Sequence, residues 1–363
     1  MFQHRKKYLY GILLFVFNCF SNAPTNYALF EKKNILILGG TGYLGRAIIE
    51  EVLKYNPKSV TIFSRDEVKH FNVLNTFKSP LLKCVIGDIR DRYALVAAAK
   101  NIDIVFHCAA LKRMDILEYN VEEAIKTNIV GSLNVFHACI ENNVSQVLFI
   151  STDKACSPVN IYGACKLASE KIFTNYNRHE IKTKFMVTRF GNILQSTGSV
   201  IPIFIDKIQR GENITLTDES MTRFIVDKTE AVEIIFDALR YGVGGEIFSK
   251  RLAAMRIIDL VEVVNAHFHK QNTFKIVGIR PGEKMHEALL NRQEMACAFE
   301  FKDLFIIQPT NYDTDLDDQA QVLPIYMRLG SRFKLNSETH YSSDQRILTK
   351  DQLARLFERL HII

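Results

Sequence analysis

The sequence predicts an α/β chain: a doubly wound parallel sheet followed by a smaller C-terminal α/β domain. Three observations carry this. Short apolar runs recur at Asn34–Leu38, Ser59–Phe63, Leu82–Ile86, Ile104–Cys108, Gln146–Ile150 and Lys184–Arg189. Helix-length segments separate them, and such β-α alternation builds a parallel sheet. The first run leads into Gly39-Gly40-Thr41-Gly42-Tyr43-Leu44-Gly45, a glycine-rich turn that opens a helix reaching about Lys54. Finally, 363 residues with 47% apolar and 24% charged side chains have the composition of a globular protein, with room for about two domains.

The net charge of +6 is concentrated at the start. Residues 1–33 hold five Lys/Arg and one acid, which leaves 41 basic against 39 acidic residues elsewhere. No charge excess therefore points to nucleic acid. Seven cysteines, odd in number and without C-x-x-C spacing, read as reduced thiols and not as a metal site. His4-Arg5-Lys6-Lys7, the apolar run at 8–20 and Ser21-Asn22-Ala23 have the three parts of a signal peptide. This segment reads either as an export signal or membrane anchor, or as an apolar extension on a cytoplasmic enzyme, and the need of the motifs that follow for a nicotinamide pool favours the cytoplasm.

In order along the chain, Gly39, Gly42 and Gly45 permit a tight turn, close backbone approach to a pyrophosphate and close helix–strand packing. The helix N-terminus adds free N–H groups for phosphate. Thr41, Tyr43 and Leu44 belong to the same cradle. The second strand ends in Ser64-Arg65-Asp66. Ser64 and Arg65 suit the 2′-phosphate of NADP, whereas Asp66 keeps the unmodified ribose of NAD open. Gly87-Asp88-Ile89 follows the third strand, with Asp88 placed for adenine. Ala109-Ala110-Leu111-Lys112 follows the fourth, its small residues letting backbone pass close to a cofactor. His107 reads as a core histidine. A long helix is expected from about Glu118 to Asn142, where the Asn128 amide either ties strands together or caps a kink.

Ser151-Thr152-Asp153-Lys154 follows the fifth strand, where open α/β sheets place their active sites. Tyr162 and Lys166 then stand at i and i+4 on one helix face, so that an ammonium would lower the tyrosine pKa toward general-base use. Residues 227–241 have helical spacing and return to the sheet domain. The division predicted is a leader at 1–33, a cofactor domain at 34–192 plus about 225–250, and a substrate domain at 193–224 plus about 251–356.

These motifs in this order resemble the extended short-chain dehydrogenase/reductases that modify nucleotide sugars, most closely the inverting UDP-N-acetylglucosamine 4,6-dehydratases. Arg189-Phe190-Gly191-Asn192, Met221-Thr222-Arg223-Phe224, Gly245-Glu246-Ile247-Phe248, Arg280-Pro281-Gly282-Glu283-Lys284 and Tyr341-Ser342-Ser343-Asp344 extend the resemblance to about Asn34–Leu356. It implies a Rossmann-like fold, NADP, a homo-oligomer and polysaccharide biosynthesis. It also implies that Tyr162 takes the C4 hydroxyl proton, Thr152 bonds that oxygen, and Lys166 holds the ribose. Lys154 would remove the C5 proton and Asp153 would protonate the departing C6 hydroxyl. In retaining relatives the position of Lys154 is glutamate, so this residue carries the stereochemistry. Lys112, Asn192, Thr222, Arg223, Arg280 and Glu283 are expected around the nucleotide sugar. Where the family commonly has Gly-Ser-Arg-Gly-Ser-Val, this chain has Gln195-Ser196-Thr197-Gly198-Ser199-Val200. A 4-epimerase or 4-keto reductase would need Tyr162 and Lys166 but not Asp153 and Lys154. A silent dinucleotide sensor would need neither pair.

Overall fold

The computed structural model describes residues 26–175, 182–196, 199–308, 331–332 and 340–363. The apolar run at 8–20, the pair at 197–198 and the acidic stretch at 313–318 lie outside the described residues.

Six strands make the parallel body of the main sheet: β1 (Asn34–Leu38), β2 (Ser59–Ser64), β3 (Leu82–Ile86), β4 (Ile104–His107), β5 (Gln146–Ile150) and β6 (Lys184–Thr188). They pair in the order 3-2-1-4-5-6, so the chain reverses direction across the sheet between β1 and β4. That reversal opens the crevice in which such sheets hold ligands, at the carboxyl ends of the strands. The strands are apolar on both faces because helices cover both. In β5, Val147, Leu148 and Phe149 are all buried, and Phe149 stacks on Phe173 of the Ile161–Thr174 helix at 4.8 Å between ring centroids. His107 is a buried core histidine, hydrogen-bonded through Nε2 to Ser132 Oγ at 3.0 Å; burial lowers its pKa to about 3.

The covering helices start where the sequence provides caps. Asp66, Asp91, Asn160 and Asp227 each accept a backbone N–H from the first turn of the helix that follows. The Lys228–Tyr241 helix packs Ile234, Ile235 and Phe236 into the same core as the sheet.

Beyond β6 come β7 (Asn192–Ile193), β8 (Ile214–Leu216), β9 (Thr222–Val226), β10 (Ile247–Lys250), β11 (Ala254–Arg256), β12 (Phe274–Ile276) and β13 (Ala288–Leu290). After these come β14 (Ala298–Phe301), β15 (Leu304–Ile307), β16 (Ser331–Arg332) and β17 (Tyr341–Ser342). A second core gathers Leu194, Ile201, Ile208, Ile225, Leu260 and Phe357, under the short sheets β11-β9-β7 and β12-β8.

The division drawn from sequence changes in one respect. β10 adds a seventh parallel strand beside β6, as the 225–250 return implies, but β15, β14 and β16 then continue the same sheet antiparallel. Residues 298–307, assigned from sequence to the second domain, thus belong to the cofactor sheet. Their buried Phe299, Phe305, Ile306 and Ile307 complete its edge.

The expected long helix at 118–142 is broken. Helical turns at Met114–Leu117 and Val121–Ala124 lead into a π-turn at Ile125–Val130 before the regular Gly131–Glu141 helix. Asn128 sits in the π-turn, and the hydroxyls of Ser132 and Ser169 donate to its carbonyl at 2.6 and 2.7 Å. A wider turn satisfied by side chains is a common device near functional sites.

Candidate active site

One cleft of about 630 Å³ runs from the β1 turn to the β5 end and on toward β9, within the size range of small-molecule sites. At one end it is a cradle. Gly39 has φ +79°, and a Cβ there would stand 2.8 Å from the backbone nitrogen of Ala109, so the strand ends close only around glycine. Gly42 starts the Tyr43–Val52 helix without any side-chain cap, which leaves its first N–H groups for a phosphate. Gly39, Thr41, Gly42, Tyr43, Leu44 and Gly45 all line the cleft.

Next along the wall, Ser64 Oγ lies 3.1 Å from Thr41 Oγ1 and 2.9 Å from His70 Nε2. Arg65 and Lys69 line the cleft beside it. Asp66 is engaged with its own helix: its carboxylate accepts the Lys69 N–H at 3.0 Å and pairs with Lys69 Nζ at 3.1 Å. Asp88 also lines the cleft, with its carboxylate held by Arg90 Nε and Nη2 and 3.7 Å from Arg65 Nη1. Ile89, Ala109, Ala110 and Lys112 complete this wall.

The far end holds the reactive groups. Thr152 caps the single turn Asp153–Ala155 and donates to Asp153 Oδ1 at 2.9 Å. Lys154 Nζ donates to Asp153 Oδ1 at 3.0 Å and to Asn192 Oδ1 at 3.3 Å, and stands 3.5 Å from Glu287 Oε1. Tyr162 also lines the cleft, with Thr152, Asp153 and Lys154 near enough to act on its hydroxyl. Burial raises the Asp153 pKa despite the Lys154 charge, and Glu287 adds to the rise. Burial lowers that of Lys154, yet Asp153 and Glu287 outweigh it and the net shift is upward. The Tyr162 hydroxyl is pushed up to about 12 by burial, and the charge opposing this is Lys154.

Lys166 differs from expectation. It donates to the Ile150 carbonyl at 2.6 Å and sits 4.3 Å from the Phe149 ring centroid, and burial pulls its pKa down to about 8. It lines the cleft, but the cation that acts on Tyr162 is Lys154.

A close approach sets this geometry. A Cβ on Gly163 would stand 2.2 Å from the Lys154 carbonyl oxygen, so only glycine lets the tyrosine helix rest on the Asp153–Ala155 turn. Gly163→Ala should destabilise the fold by about 1–3 kcal/mol, the usual cost of overpacking, and impair turnover as well. Urea unfolding and steady-state rates check it; an alanine variant with wild-type values in both would refute the contact.

Four predicted site residues are placed elsewhere. Asn128 spends both amide atoms on Leu111, accepting its N–H and donating to its carbonyl at 2.8 Å each, so it shapes the β4 loop from behind. Thr222 is buried between His286 Nδ1 at 2.8 Å and Ser343 Oγ at 2.6 Å, outside the cleft wall. Arg280 is exposed on the loop before Gly282, also outside the wall. Asp153 is fully buried beneath the wall and meets the cleft by way of Thr152 and Lys154. Asn192, Arg223 and Glu283 do line it. Arg223 donates to the Thr222 carbonyl at 2.7 Å, and Glu283 accepts from Thr217 at 3.1 Å.

Sequence reasoning missed Glu287 and the buried Glu170–Arg189–Glu294 group. Arg189 grips Glu170 at 3.0 and 2.6 Å, Glu294 at 2.9 Å twice, and the Leu289 carbonyl at 2.7 Å. Glu170 in turn accepts from Ser151 Oγ, one residue before Thr152. The motif containing Arg189 was visible, but nothing in its spacing named the carboxylates. In the departing loop, Gln195 has φ +61°, a left-handed conformation that glycine adopts without strain.

The sheet order, the glycine cradle, and Tyr162 and Lys166 carried on one helix at the cleft wall together define a Rossmann-type enzyme of the extended short-chain dehydrogenase/reductase class. More particularly, the chain belongs to the polysaccharide biosynthesis protein family, which matches residues 35–309. The inverting UDP-N-acetylglucosamine 4,6-dehydratase of Campylobacter jejuni subsp. jejuni serotype O:2 is 40% identical over 321 residues, 87% of this chain and 94% of that one. A UDP-glucose 4-epimerase of Rickettsia massiliae is 39% identical over 285 residues, 77% of this chain and 84% of the relative. Among solved structures, Pen from Bacillus thuringiensis is 37% identical with a TM-score of 0.83, covering 92% of this chain and 99% of that one. Among the described residues no helix is long and apolar enough to cross a membrane.

Proposed function

We propose that the protein dehydrates UDP-N-acetylglucosamine across C5 and C6 with inversion at C5, using NADP. The observation that carries this reading is Lys154: an amine in the cleft wall beside Tyr162, bonded at 3.0 Å to a buried carboxyl. An epimerase has no use for that pair.

A nicotinamide nucleotide, which the Gly39–Gly45 turn, Ser64 and Arg65 would hold, would supply the hydride acceptance at C4 and the hydride return at C6. Tyr162 takes the C4 hydroxyl proton as its phenolate, a form that burial disfavours and the Lys154 charge favours, while Thr152 hydrogen-bonds that oxygen. The C4 ketone acidifies the C5 proton, which Lys154 removes as an amine, and Asp153 is the proton source for the departing C6 hydroxyl. The 3.0 Å bond between Lys154 and Asp153 supplies both partners at once. Moving one proton along it turns ammonium and carboxylate into amine and carboxylic acid, and burial at Asp153 favours the uncharged form. Loss of water returns the couple to its charged state; C5 then takes a solvent proton from the other face, balanced by release of the one Tyr162 gained, and this inverts the centre.

The cofactor reading rests on the β2 end. Asp66 also lines the cleft, but its carboxylate caps its helix and pairs with Lys69, and Ser64, Arg65 and Lys69 stand beside it. This set favours a 2′-phosphate. Arg223, Asn192, Glu283 and Lys112 are the wall groups proposed to hold the nucleotide sugar, with Arg280 on the adjoining loop. The cofactor pool and this chemistry favour the cytoplasm, and assembly as a homo-oligomer is part of the same proposal.

Incubation with UDP-N-acetylglucosamine in D₂O is the test. The expected product has lost water and carries deuterium at C5, and acid release of the bound nucleotide yields NADP. An isomer of unchanged mass would favour the 4-epimerase and sink the dehydratase reading.

A further inference from the structure

Lys154 is balanced between two carboxylates that come from distant parts of the chain. Asp153 precedes it, whereas Glu287 arrives from the segment just before β13. The Glu287 backbone is fixed in place: its N–H donates to Ser343 Oγ at 3.0 Å, its carbonyl accepts the Ser343 N–H at 2.8 Å, and Ser343 Oγ is bonded to Thr222. Its carboxylate is almost fully buried and bridges two ammonium groups, Lys154 Nζ at 3.5 Å and Lys284 Nζ at 3.4 Å. Lys284 is anchored by donating to the Cys156 carbonyl at 2.7 Å. The bridge therefore spans the reactive turn and the loop that carries Glu283.

We propose that Glu287 is a positioning residue: its carboxylate, shared between Lys154 and Lys284, fixes the Lys154 nitrogen in the cleft wall and holds a proton on it in the free enzyme. The inference rests on Lys154 being the C5 base. The groups facing Lys154 are Asp153 on its own turn, Tyr162 on the helix after it, Asn192 on β7, Arg223 on β9 and Glu287 before β13. Those facing Glu287 are Asp153, Lys154, Arg223 and Lys284, and the three cations lower its pKa against the effect of burial. Glu287 is thus charged when the site is ready, and it favours the ammonium form that the base must leave.

Two substitutions act in opposite senses. Glu287→Gln keeps the size and removes the negative charge, so the proton on Lys154 is held less firmly. Lys284→Met removes the competing cation, so Glu287 holds that proton more firmly. The reactivity of Lys154 toward acetic anhydride, read by peptide mass analysis against pH, reports its protonation without turnover. The midpoint is expected to fall by about one pH unit in Glu287→Gln and to rise in Lys284→Met. The acid limb of the kcat/KM profile should follow, with kcat at the optimum in Glu287→Gln down roughly tenfold and KM nearly unchanged. An unmoved midpoint in Glu287→Gln, the same direction in both variants, or an effect on KM alone would overturn the proposal. Should Glu287→Gln be insoluble, an unmoved midpoint in Lys284→Met overturns it equally. Failure of the wild-type enzyme to dehydrate UDP-N-acetylglucosamine would remove the function proposed above, while the acetylation midpoints would still decide whether Glu287 holds the proton.

Discussion

Lys154→Met should leave a folded protein that retains its nicotinamide nucleotide and turns over UDP-N-acetylglucosamine about 10²–10⁴-fold more slowly, the usual worth of a general base. The methionine keeps most of the apolar stem, so the cleft wall stays packed, and the glycine cradle lies at the other end of the cleft. What is lost is the nitrogen bonded to Asp153, Asn192 and Glu287. Oxidation at C4 depends on Tyr162, which also loses the Lys154 charge that opposes its burial, so this step should slow without vanishing and a trace of reduced nucleotide should accumulate on the enzyme. Absorbance of the bound nucleotide during a single turnover detects it. A variant that still releases the dehydrated sugar at more than a tenth of the wild-type rate would remove Lys154 from the chemistry.

The second large effect is expected at Arg189. This fully buried guanidinium satisfies Glu170 and Glu294 together, and Arg189→Met would leave both carboxylates in the core without a counter-charge. Breaking a buried ion pair in this way costs about 3–5 kcal/mol, a large fraction of the stability of most domains. Urea unfolding measures it, and a loss under about 1 kcal/mol would mean the group is not holding the fold. The pH dependence has a definite sign. Burial raises the Glu294 pKa, but Arg189 more than offsets it and the folded value lies below the usual glutamate range. The folded form therefore releases this proton more readily than the unfolded form does. The stabilisation is present in full above the ordinary glutamate pKa of about 4.3 and fades as pH falls through the depressed folded value. Wild-type protein should show this acid loss of stability, and an Arg189→Met, Glu294→Gln double variant should not.

Much of this could be read in the residues. Strands β1, β3 and β5 fall where the apolar runs place them, and β4 and β6 each stop one residue short, at His107 and Thr188. Local signals suffice there because a parallel strand buried on both faces must be apolar throughout. The nucleotide cradle was legible for a similar reason, since glycine is required wherever backbone passes within contact distance. The π-turn was not legible. Asn128 within it bonds to partners on other segments, Leu111 and Ser169, which no helical period records. Glu287 and Glu294 were hidden because their partners are remote; Arg189 and Glu294 are 105 positions apart. Likewise β14 and β15 carry no crossover helix to announce that they join the sheet, and only their pairing with β10 reveals it.

That pairing has a consequence for how the polypeptide can be divided. The interior that Phe106 and Phe149 share also contains Phe248, Phe299 and Phe305, so its stuffing is delivered by stretches on both sides of residue 193. A gene fragment stopped after the sixth strand would encode the nucleotide cradle but omit a flank of its own interior. Neither half is therefore a module to be cut out or grafted with its interior intact.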